Sequence, residues 1–344
     1  MRPEESERLF VETLINDSIE QGKIDCCRVG EIEKLAGDAS TRRYYRATTT
    51  KDSYVVCLDE PIHDGQREHE FIRVQRALLA NGVRVPKIYD VDVRKGYILE
   101  EDLGNVTLLK KSAEITSITE EYLMYQHCMD LLLKIHHLKL DNYKNETFYK
   151  LAFDQEKLMS EVNFTIKHFI NKFMKTTLSS ADEAILINAY SELCGHISTL
   201  PRLFTHRDFH SRNIMVKNGE YIAIDFQDAR MGIAQYDLCS VLDDCYYFLN
   251  EQNVDKLKKY YWDNLDSKKR STKSYDEFLE IYDIMATQRV FKAIGSFSYI
   301  YSLRGDVRYI KHIGHSFEKL RKILFKYPKL TAIRSLLSTI YYEH

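Results

Sequence analysis

The sequence has few of the residues that mark linkers, membrane spans or disulfide frameworks. It contains 5 prolines and 13 glycines in 344 residues, and this scarcity favours closely joined lobes over separate domains. No run approaches the ~18 apolar residues of a membrane span, and the charged N-terminus lacks the apolar core of a signal peptide. The 7 cysteines show no regular spacing and are expected to be reduced. The sequence therefore predicts a cytoplasmic protein with no membrane partner.

An excess of charge of either sign is also missing. The chain has 49 Lys and Arg against 51 Asp and Glu, a net charge of -2, so nothing argues for nucleic acid as a partner. A hydrophobic content of 44% and a charged content of 29% are ordinary for a globular protein. At this length the chain fits one two-lobed unit or two domains, and we expect a monomer.

The polar side chains best suited to catalysis are concentrated in residues 203–237. Two β-prone runs in this stretch flank Asn218-Gly219, which predicts a tight hairpin because both turn residues readily adopt positive φ. Counting back from this turn along the paired strands places Asn213 and Asp225 at the same end of the hairpin. The hairpin is thus expected to bring an amide and a carboxylate together.

Asp208 precedes Asn213 by five residues, in the polar segment HRDFHSRN, which is short enough to fold back over that end. Two oxygen ligands for a hard cation such as Mg²⁺ and one free carboxylate to deprotonate a hydroxyl suit phosphoryl transfer. The spacing His206-x-Asp208-x-x-x-x-Asn213 followed by Asp225 resembles the catalytic loop of the protein-kinase-like superfamily. We therefore predict Asp208, His206 and Asn213 as catalytic residues and Asn213 and Asp225 as Mg²⁺ ligands.

Two other interpretations of this stretch remain open. His206, Asp208 and His210 alternate along the chain and could ligate zinc, although no further Cys or His pair lies at ligand spacing. Asn213 and Asp225 could each be an ordinary turn or cap residue. The joint agreement of several conditions of the motif favours phosphoryl transfer.

The N-terminal third has the pattern of a small β-rich lobe. Short β-prone runs are separated by turn residues, and a single helical pattern follows the third of them. Five strands with one helix after the third are typical of the small lobe of a kinase. The predicted strands span approximately residues 28–35, 42–49, 53–58, 88–93 and 97–100, and the predicted helix spans residues 65–80.

The turn between the first two predicted strands contains Gly37, Asp38 and Ser40, and it is followed by Arg42 and Arg43. Backbone N–H groups and arginines of this kind can cradle the phosphates of ATP, although an ordinary solvated hairpin has the same composition. The third strand lacks the lysine that pairs with the phosphates in protein kinases. Either Arg42, Arg43 or Arg46 takes its place, or ATP is held chiefly through Mg²⁺ and the backbone.

The segment ILEEDLG, residues 98–104, leads from the last predicted strand into a long helical remainder. We interpret it as the hinge, where Glu100, Asp102 and Leu103 would contact the nucleotide base through the extended backbone. The predicted division is 1–100 for the N-lobe, 101–104 for the hinge and 105–344 for a helical C-lobe with the catalytic loop and the acceptor site.

The C-lobe is predicted to be mainly helical, with helices at approximately 119–137, 154–175 and 180–200. Asp237 begins a later helical pattern, and we predict that it supports the catalytic loop by accepting backbone N–H groups. The candidate substrate contacts are polar residues near the catalytic loop or in the late segment FKAIGSFSYIYSLRGD: His210, Arg212, Asp228, Arg304 and Asp306. For the last two, a solvated helix-loop-helix face is the alternative.

Several segments together resemble the aminoglycoside-phosphotransferase and choline-kinase-like family: LAGDASTRRYYR, the lysine-free LDEP strand end, ILEEDLG, THRDFHSRNIMV, IDFQDAR and YDLCSVLDDCY. The resemblance implies an α+β, bilobal, protein-kinase-like fold with a five-stranded antiparallel sheet and one helix in the N-lobe. Within the family, the chain is most similar to bacterial anomeric kinases of cell-wall recycling, which phosphorylate N-acetylmuramate and N-acetylglucosamine at C1. This similarity implies an ATP- and Mg²⁺-dependent sugar kinase.

Two further functions are alternatives. The first is an aminoglycoside or choline kinase on the same fold, although the mixed charge of the C-terminal region argues against the acidic lining that a polycationic acceptor needs. The second is a nucleotide-binding pseudokinase, because the strand lysine is missing. The expected signature of a pseudokinase is loss of Asp208 or Asp225, and the sequence retains both.

Overall fold

The five predicted strands form one antiparallel sheet at the N-terminal end of the chain. The computed structural model describes residues 3–26, 28–35, 42–62 and 69–343. The strand order is β1-β2-β3-β5-β4, which confirms the predicted sheet and its antiparallel pairing. The strands are β1 (Val29–Lys34), β2 (Arg43–Thr49), β3 (Ser53–Leu58), β4 (Ile88–Asp92) and β5 (Tyr97–Glu101).

The two faces of this sheet have different neighbours. One face packs against helix α1 (Pro3–Glu20) through buried side chains such as Tyr45 and Val56. The other face packs towards helix α2 (Glu70–Ala80) and the helical lobe through side chains such as Cys57. Side chains alternate between the two faces along a strand, so two consecutive residues of β2 or β3 point to opposite faces of the sheet.

Helix α2 begins later than predicted. Its apolar stripe of Phe71, Val74 and Leu78 is buried as expected, but its first residue is Glu70, and the predicted residues 65–68 lie outside the described part of the chain. The side chain of His69 caps the helix by accepting a hydrogen bond from the backbone N–H of Phe71 at 3.1 Å. This side-chain cap fixes the start of α2.

The rest of the chain is mainly helical, as predicted. None of the helices in the described ranges is long and apolar enough to cross a membrane. The helices are α3 (Leu108–Ser112), α4 (Ile118–His136), α5 (Thr147–Lys150), α6 (Gln155–Thr165), α7 (Ser180–Ser198), α8 (Ala234–Leu242), α9 (Glu251–Asn264), α10 (Tyr275–Arg304), α11 (Ile310–Phe325) and α12 (Thr331–Glu343).

Helix α10 occupies the centre of the helical lobe. It approaches α6 so closely at Gly295 that an added Cβ would lie 2.7 Å from the Cα of Thr165. After Thr165 the chain continues as a π-helical segment, Ile166–Phe173, so the single helix predicted for residues 154–175 changes its winding here. This close packing fixes the position of the α10 side chains that face the site described below.

Two short antiparallel strand pairs hold the segments that contain the candidate catalytic residues. Strand β6 (Leu203–Thr205) pairs with β9 (Arg230–Gly232), and β7 (Ile214–Lys217) pairs with β8 (Glu220–Ala223). The β7–β8 turn has φ values of 52° at Asn218 and 81° at Gly219, as its sequence predicts. The predicted register is confirmed, since Lys217 pairs with Glu220 and the backbone N–H of Ile224 donates to the carbonyl of Asn213 at 3.0 Å.

The last residue of β5 and the residue that follows it are held by ion pairs and a hydrogen bond from the sheet lobe and from the β7–β8 hairpin. Arg84 contacts Glu101 at 2.6 Å, and Arg46 contacts Asp102 at 2.6 Å. The Nζ of Lys217, on β7, donates to the carbonyl of Asp102 at 2.7 Å and lies 3.3 Å from Glu101. We call these five residues the hinge network.

Candidate active site

The segment between β6 and β7 is held in place by Asp237. The buried carboxylate of Asp237, in the first turn of α8, accepts hydrogen bonds from the backbone N–H groups of His206 at 2.6 Å and Arg207 at 2.9 Å. It also lies 3.1 Å from the Nε2 of His136. Arg207 has a φ of 83°, a strained value for a non-glycine residue, so the loop needs this support. These contacts are those that the predicted scaffolding role requires.

We expect replacement of Asp237 by alanine to destabilise the protein by about 2 to 5 kcal/mol, because two buried N–H groups and a buried histidine lose their partner. Urea-induced unfolding of the variant and the wild type measures the difference. The matched control is Asp263→Ala on the exposed face of α9, where the carboxylate pairs with Lys259 and the loss should stay below about 0.5 kcal/mol. Equal unfolding free energies for Asp237→Ala and wild type would contradict the scaffolding role.

Asp208, Asn213 and Asp225 converge at the open end of the β7–β8 hairpin. The Nδ2 of Asn213 donates to the backbone carbonyl of Asp208 at 3.0 Å and to the carboxylate of Asp225 at 3.1 Å. The Nε2 of Gln227 donates to the other oxygen of Asp225 at 2.6 Å. The Oδ1 of Asn213 takes no part in these two hydrogen bonds. An amide oxygen and a neighbouring carboxylate are ligands that suit a hard cation.

The side chain of Asp208 is surrounded by cations. Its Oδ1 lies 3.6 Å from the Nζ of Lys292 and 3.7 Å from the guanidinium of Arg289, and its Oδ2 lies 3.7 Å from Arg207. Burial alone would raise the pKa of Asp208, but the charges of Lys292, Arg207 and Arg289 outweigh burial and hold this pKa well below its usual range. Asp208 is therefore an ionised carboxylate that can accept a hydrogen bond or a proton.

A cavity of about 140 Å³ opens beside Asp208. Its wall includes His210, which was predicted as a substrate contact, and it includes Arg289 and Lys292 of α10. Burial lowers the pKa of His210, although Asp244 and Asp208 oppose this shift. The cavity is large enough to admit part of a small acceptor next to the carboxylate of Asp208.

The other predicted substrate residues have different positions. Arg212 places its guanidinium 4.1 Å from the ring centre of Tyr246, a residue of the cavity wall. Asp228 is largely exposed and pairs with Arg207 at 2.7 Å. The prediction for Arg304 and Asp306 is wrong as far as this cavity is concerned, because neither lines it. Arg304 lies twelve residues beyond Lys292 on α10, about 18 Å along the helix axis.

The catalytic role predicted for His206 is also corrected. Its side chain is fully buried and packs edge-on against the rings of Phe209 and Phe226. A side chain without exposed surface cannot touch an acceptor, so His206 shapes the loop from within. The zinc interpretation finds no support among the described residues, where no three His, Cys, Asp or Glu side chains lie close enough together to hold a metal ion.

The predicted phosphate-binding arginines lie on opposite faces of the sheet. The residues Gly37, Asp38 and Ser40 lie outside the described part of the chain. Arg43 contacts Glu7 of α1 at 2.6 Å, so its predicted role is wrong: alternation along β2 turns it away from the cleft. Arg42, one residue earlier, is on the cleft face and pairs with Asp59 at 2.8 Å.

The side chains predicted at the hinge are engaged with the protein itself. Glu100 is buried, and burial raises its pKa to about 8, although the charge of Arg42 opposes the shift. Asp102 belongs to the hinge network. Leu103 packs with Met215 and Ile222 in a small buried apolar cluster.

Sequence reasoning missed the cations contributed by α10. Arg289 and Lys292 are three residues apart, so they share one face of the helix. Both lie in the apolar run from Met285 to Phe297, where charged residues are buried only if they have partners or a function. Two cations in a buried stretch of helix were the signal in the sequence, but only the fold shows that they lie beside Asp208.

A small sheet lobe, a helical lobe and a carboxylate, amide and carboxylate set at the end of a hairpin define the protein-kinase-like class of phosphoryl-transferring enzymes. The model of the family described as "Phosphotransferase enzyme family" matches residues 31–270. The chain belongs to this family, and it is a phosphotransferase.

Curated relatives with known names match most of the chain. The N-acetylmuramate/N-acetylglucosamine kinase of Neisseria meningitidis serogroup B is 28% identical over 303 residues, which are 88% of each chain. The protein of the same name from Pseudomonas aeruginosa is 26% identical and covers 90% of this chain and 88% of its own length. These proteins are similar to this chain along nearly its whole length.

Solved structures share the fold. Choline kinase LicA from Streptococcus pneumoniae has a TM-score of 0.61 at 16% identity and covers 92% of this chain and 100% of its own. Aminoglycoside phosphotransferase APH(2″)-Ib in its ADP-bound form has a TM-score of 0.59 at 16% identity, with coverages of 88% and 96%. The predicted α+β, kinase-like fold class is thereby confirmed.

The low pKa of Asp208 predicts how phosphotransferase activity depends on pH. A base whose pKa is lowered stays ionised as the pH falls, so Asp208 should cause no loss of kcat/KM above about pH 4. Rate profiles of wild type between pH 4 and 9 test this expectation, and an acid limb from Asp208 inside this range would contradict the lowered pKa.

Lys292→Met and Lys319→Met form a matched pair for the same profile. Lys319 has the same side-chain exposure as Lys292, 15%, but it pairs with Asp243 rather than with Asp208. Removal of the Lys292 charge raises the pKa of Asp208, so an acid limb that enters the range should do so in Lys292→Met and not in Lys319→Met. An acid limb that appears equally in both variants would contradict the electrostatic role assigned to Lys292.

Proposed function

We propose that this phosphotransferase moves the γ-phosphoryl group of ATP to the anomeric hydroxyl of an N-acetylated sugar, N-acetylmuramate or N-acetylglucosamine. The observation that carries the proposal is the position of Asp208, between the Asn213–Asp225 pair and a cavity that admits part of a small acceptor. The sugars come from the names of the curated relatives. The residue pattern of the catalytic loop supports the same reaction.

The groups around the hinge suit a nucleotide. The extended backbone after β5 would offer N–H and C=O groups to the edge of the adenine, and the buried cluster of Leu103, Met215 and Ile222 supports that segment. Asn213 and Asp225 would hold Mg²⁺, because an amide oxygen and a carboxylate oxygen leave room for the water and phosphate oxygens that this ion prefers. When bound, Mg²⁺ supplies positive charge that offsets the charge on the phosphates.

Asp208 would orient the sugar and accept the proton of its anomeric hydroxyl. The hydroxyl oxygen forms a bond to the γ-phosphorus, the bond from that phosphorus to the bridging oxygen breaks, and ADP leaves with the bond electrons. Asp208 is a weak base, but an anomeric hydroxyl is more acidic than an ordinary alcohol. Positioning therefore supplies most of the rate.

The two alternative acceptors are cations. Aminoglycosides are polycations and choline is a quaternary ammonium ion, and both need acidic or aromatic surroundings. The cavity wall combines the carboxylates of Asp208, Asp243 and Asp244 with the cations Arg289 and Lys292, so its charge is mixed. The two cations next to Asp208 are the feature that favours a neutral or anionic acceptor there.

The test is a phosphorylation assay of the purified full-length protein with Mg-ATP, read by ³¹P NMR and mass spectrometry. The acceptors are N-acetylmuramate, N-acetylglucosamine, other hexoses, choline and two aminoglycosides, with Asp208→Ala as the inactive control. A sugar 1-phosphate formed only from the N-acetyl sugars supports the proposal. Phosphate on choline or an aminoglycoside refutes the proposed acceptor, and bound ATP without transfer to any acceptor favours the pseudokinase.

A further inference from the structure

The cations of α10 bear on which sugar the cavity accepts. We infer that Lys292 and Arg289 form a receptor for a carboxylate on the acceptor, so that the enzyme prefers N-acetylmuramate, which carries a lactic acid group, over neutral N-acetylglucosamine. This inference rests on the proposed sugar phosphorylation and adds the specificity of the same cavity.

The location of the two cations favours contact with the acceptor rather than with ATP. Arg289 and Lys292 line the cavity together with Asp208. Asn213 and Asp225, which would hold the metal and the phosphates, do not line it. The two positive charges are therefore on the acceptor side of Asp208.

Both cations have hydrogen-bond donors to spare. The Nζ of Lys292 makes no hydrogen bond to any described residue, and its 3.6 Å distance to Asp208 is too long for one. Arg289 uses its Nε on Ser240 at 2.9 Å, while its Nη2 lies 3.7 Å from Asp208. An ammonium has three donors and a guanidinium five, whereas a carboxylate accepts several hydrogen bonds. A carboxylate at this wall would fill the donors that the fold leaves unused.

Asp208 is the one acidic residue of the cavity wall that lies against both cations, and the other two, Asp243 and Asp244, have partners of their own. Asp244 accepts hydrogen bonds from the backbone N–H groups of Ser211 and Tyr246, both at 2.8 Å. Asp243 accepts from the hydroxyl of Tyr282 at 2.5 Å and pairs with Lys319 at 3.6 Å. Their charges are thus committed to the loop and to α11.

One buried carboxylate lies behind the cavity wall. Glu161 of α6 acts electrostatically on Lys292, but its own contacts are Lys157 at 3.1 Å and Gln288 at 3.2 Å. It does not line the cavity. Burial lowers the pKa of Lys292, and the charges of Asp208 and Glu161 oppose this shift. Glu161 thus favours the charged form of Lys292 without occupying its donors.

The experiment compares kcat/KM for N-acetylmuramate and N-acetylglucosamine in full-length wild type, Lys292→Met and Lys319→Met. Loss of the lysine charge affects Asp208 equally with both sugars, so the ratio of the two kcat/KM values isolates the carboxylate contact. We expect the ratio to favour N-acetylmuramate in wild type and to fall by about tenfold or more in Lys292→Met, mainly through the KM for N-acetylmuramate. The ratio in Lys319→Met should equal that of wild type.

The methyl ester of N-acetylmuramate provides a test that needs no variant. If the receptor exists, the uncharged ester should lose the advantage of the acid in wild type and behave like N-acetylglucosamine. This comparison decides the matter even if Lys292→Met does not fold.

The outcomes separate the two proposals. Phosphorylation of both sugars with a ratio that Lys292→Met leaves unchanged, or an ester as good as the acid, overturns the carboxylate receptor and leaves the proposed function intact. If wild type phosphorylates neither sugar, the proposed function fails and the receptor with it.

Discussion

Replacing Asp208 by alanine should lower kcat by about a thousandfold or more while nucleotide binding persists. Removal of a general base costs about 10² to 10⁴ in rate, and Asp208 also positions the acceptor. Its side chain lines the cavity, whereas the segment expected to meet the base, residues 101–104, does not line it. The loss should therefore fall on transfer and spare the nucleotide.

Two measurements check this expectation. Single-turnover transfer, followed by ³¹P NMR or mass spectrometry, gives the rate, and calorimetric titration with Mg-ATP gives the affinity. Asp208→Asn serves as the isosteric companion, because it keeps the volume and removes the basic oxygen. Turnover within tenfold of wild type in both variants would refute the role of Asp208.

Replacing Asp225 by asparagine should weaken the Mg²⁺-dependent part of ATP binding by about 10- to 100-fold and reduce transfer accordingly. The carboxylate of Asp225 is the only charged member of the candidate metal pair, and an amide in its place removes the negative charge that a divalent cation needs. The amides of Asn213 and Gln227, at 3.1 and 2.6 Å from its oxygens, would also lose an acceptor for a charge-assisted hydrogen bond.

The assay for Asp225 carries its own control. ATP affinity is titrated with and without Mg²⁺ in wild type and in Asp225→Asn, and the metal-free affinities should agree. The two proteins should differ only when the metal is present. An identical Mg²⁺ dependence in both would show that Asp225 does not hold the metal.

The features predicted well from the sequence are those set by short-range geometry. The Asn218-Gly219 turn leaves few choices of register, and the register then brings Asn213 beside Asp225. The sheet and its single helix follow from alternating and helical apolar patterns in the same way. Each of these conclusions needs only neighbouring residues.

The features that the sequence did not give depend on contacts between distant parts of the chain. Arg42 and Arg43 are neighbours of the same type, and only the burial of α1 against one face of the sheet separates their roles. In the sequence, Arg289 and Lys292 are two charged residues of a core helix, and only the fold places them beside Asp208. Such pairings across the chain have no local signature.

The hinge network determines how the two lobes can rotate. Arg46 and Arg84 reach it from the sheet side and Lys217 from the β7–β8 hairpin, and all three fasten on two consecutive residues, Glu101 and Asp102. We expect the rotation axis to pass through this anchored point, so that displacement grows with distance from it. The adenine end of the cleft would stay closed through the cycle while the mouth beside Asp208 widens. We expect the phosphorylated acceptor, at the wider mouth, to leave before the nucleotide, which lies next to the axis.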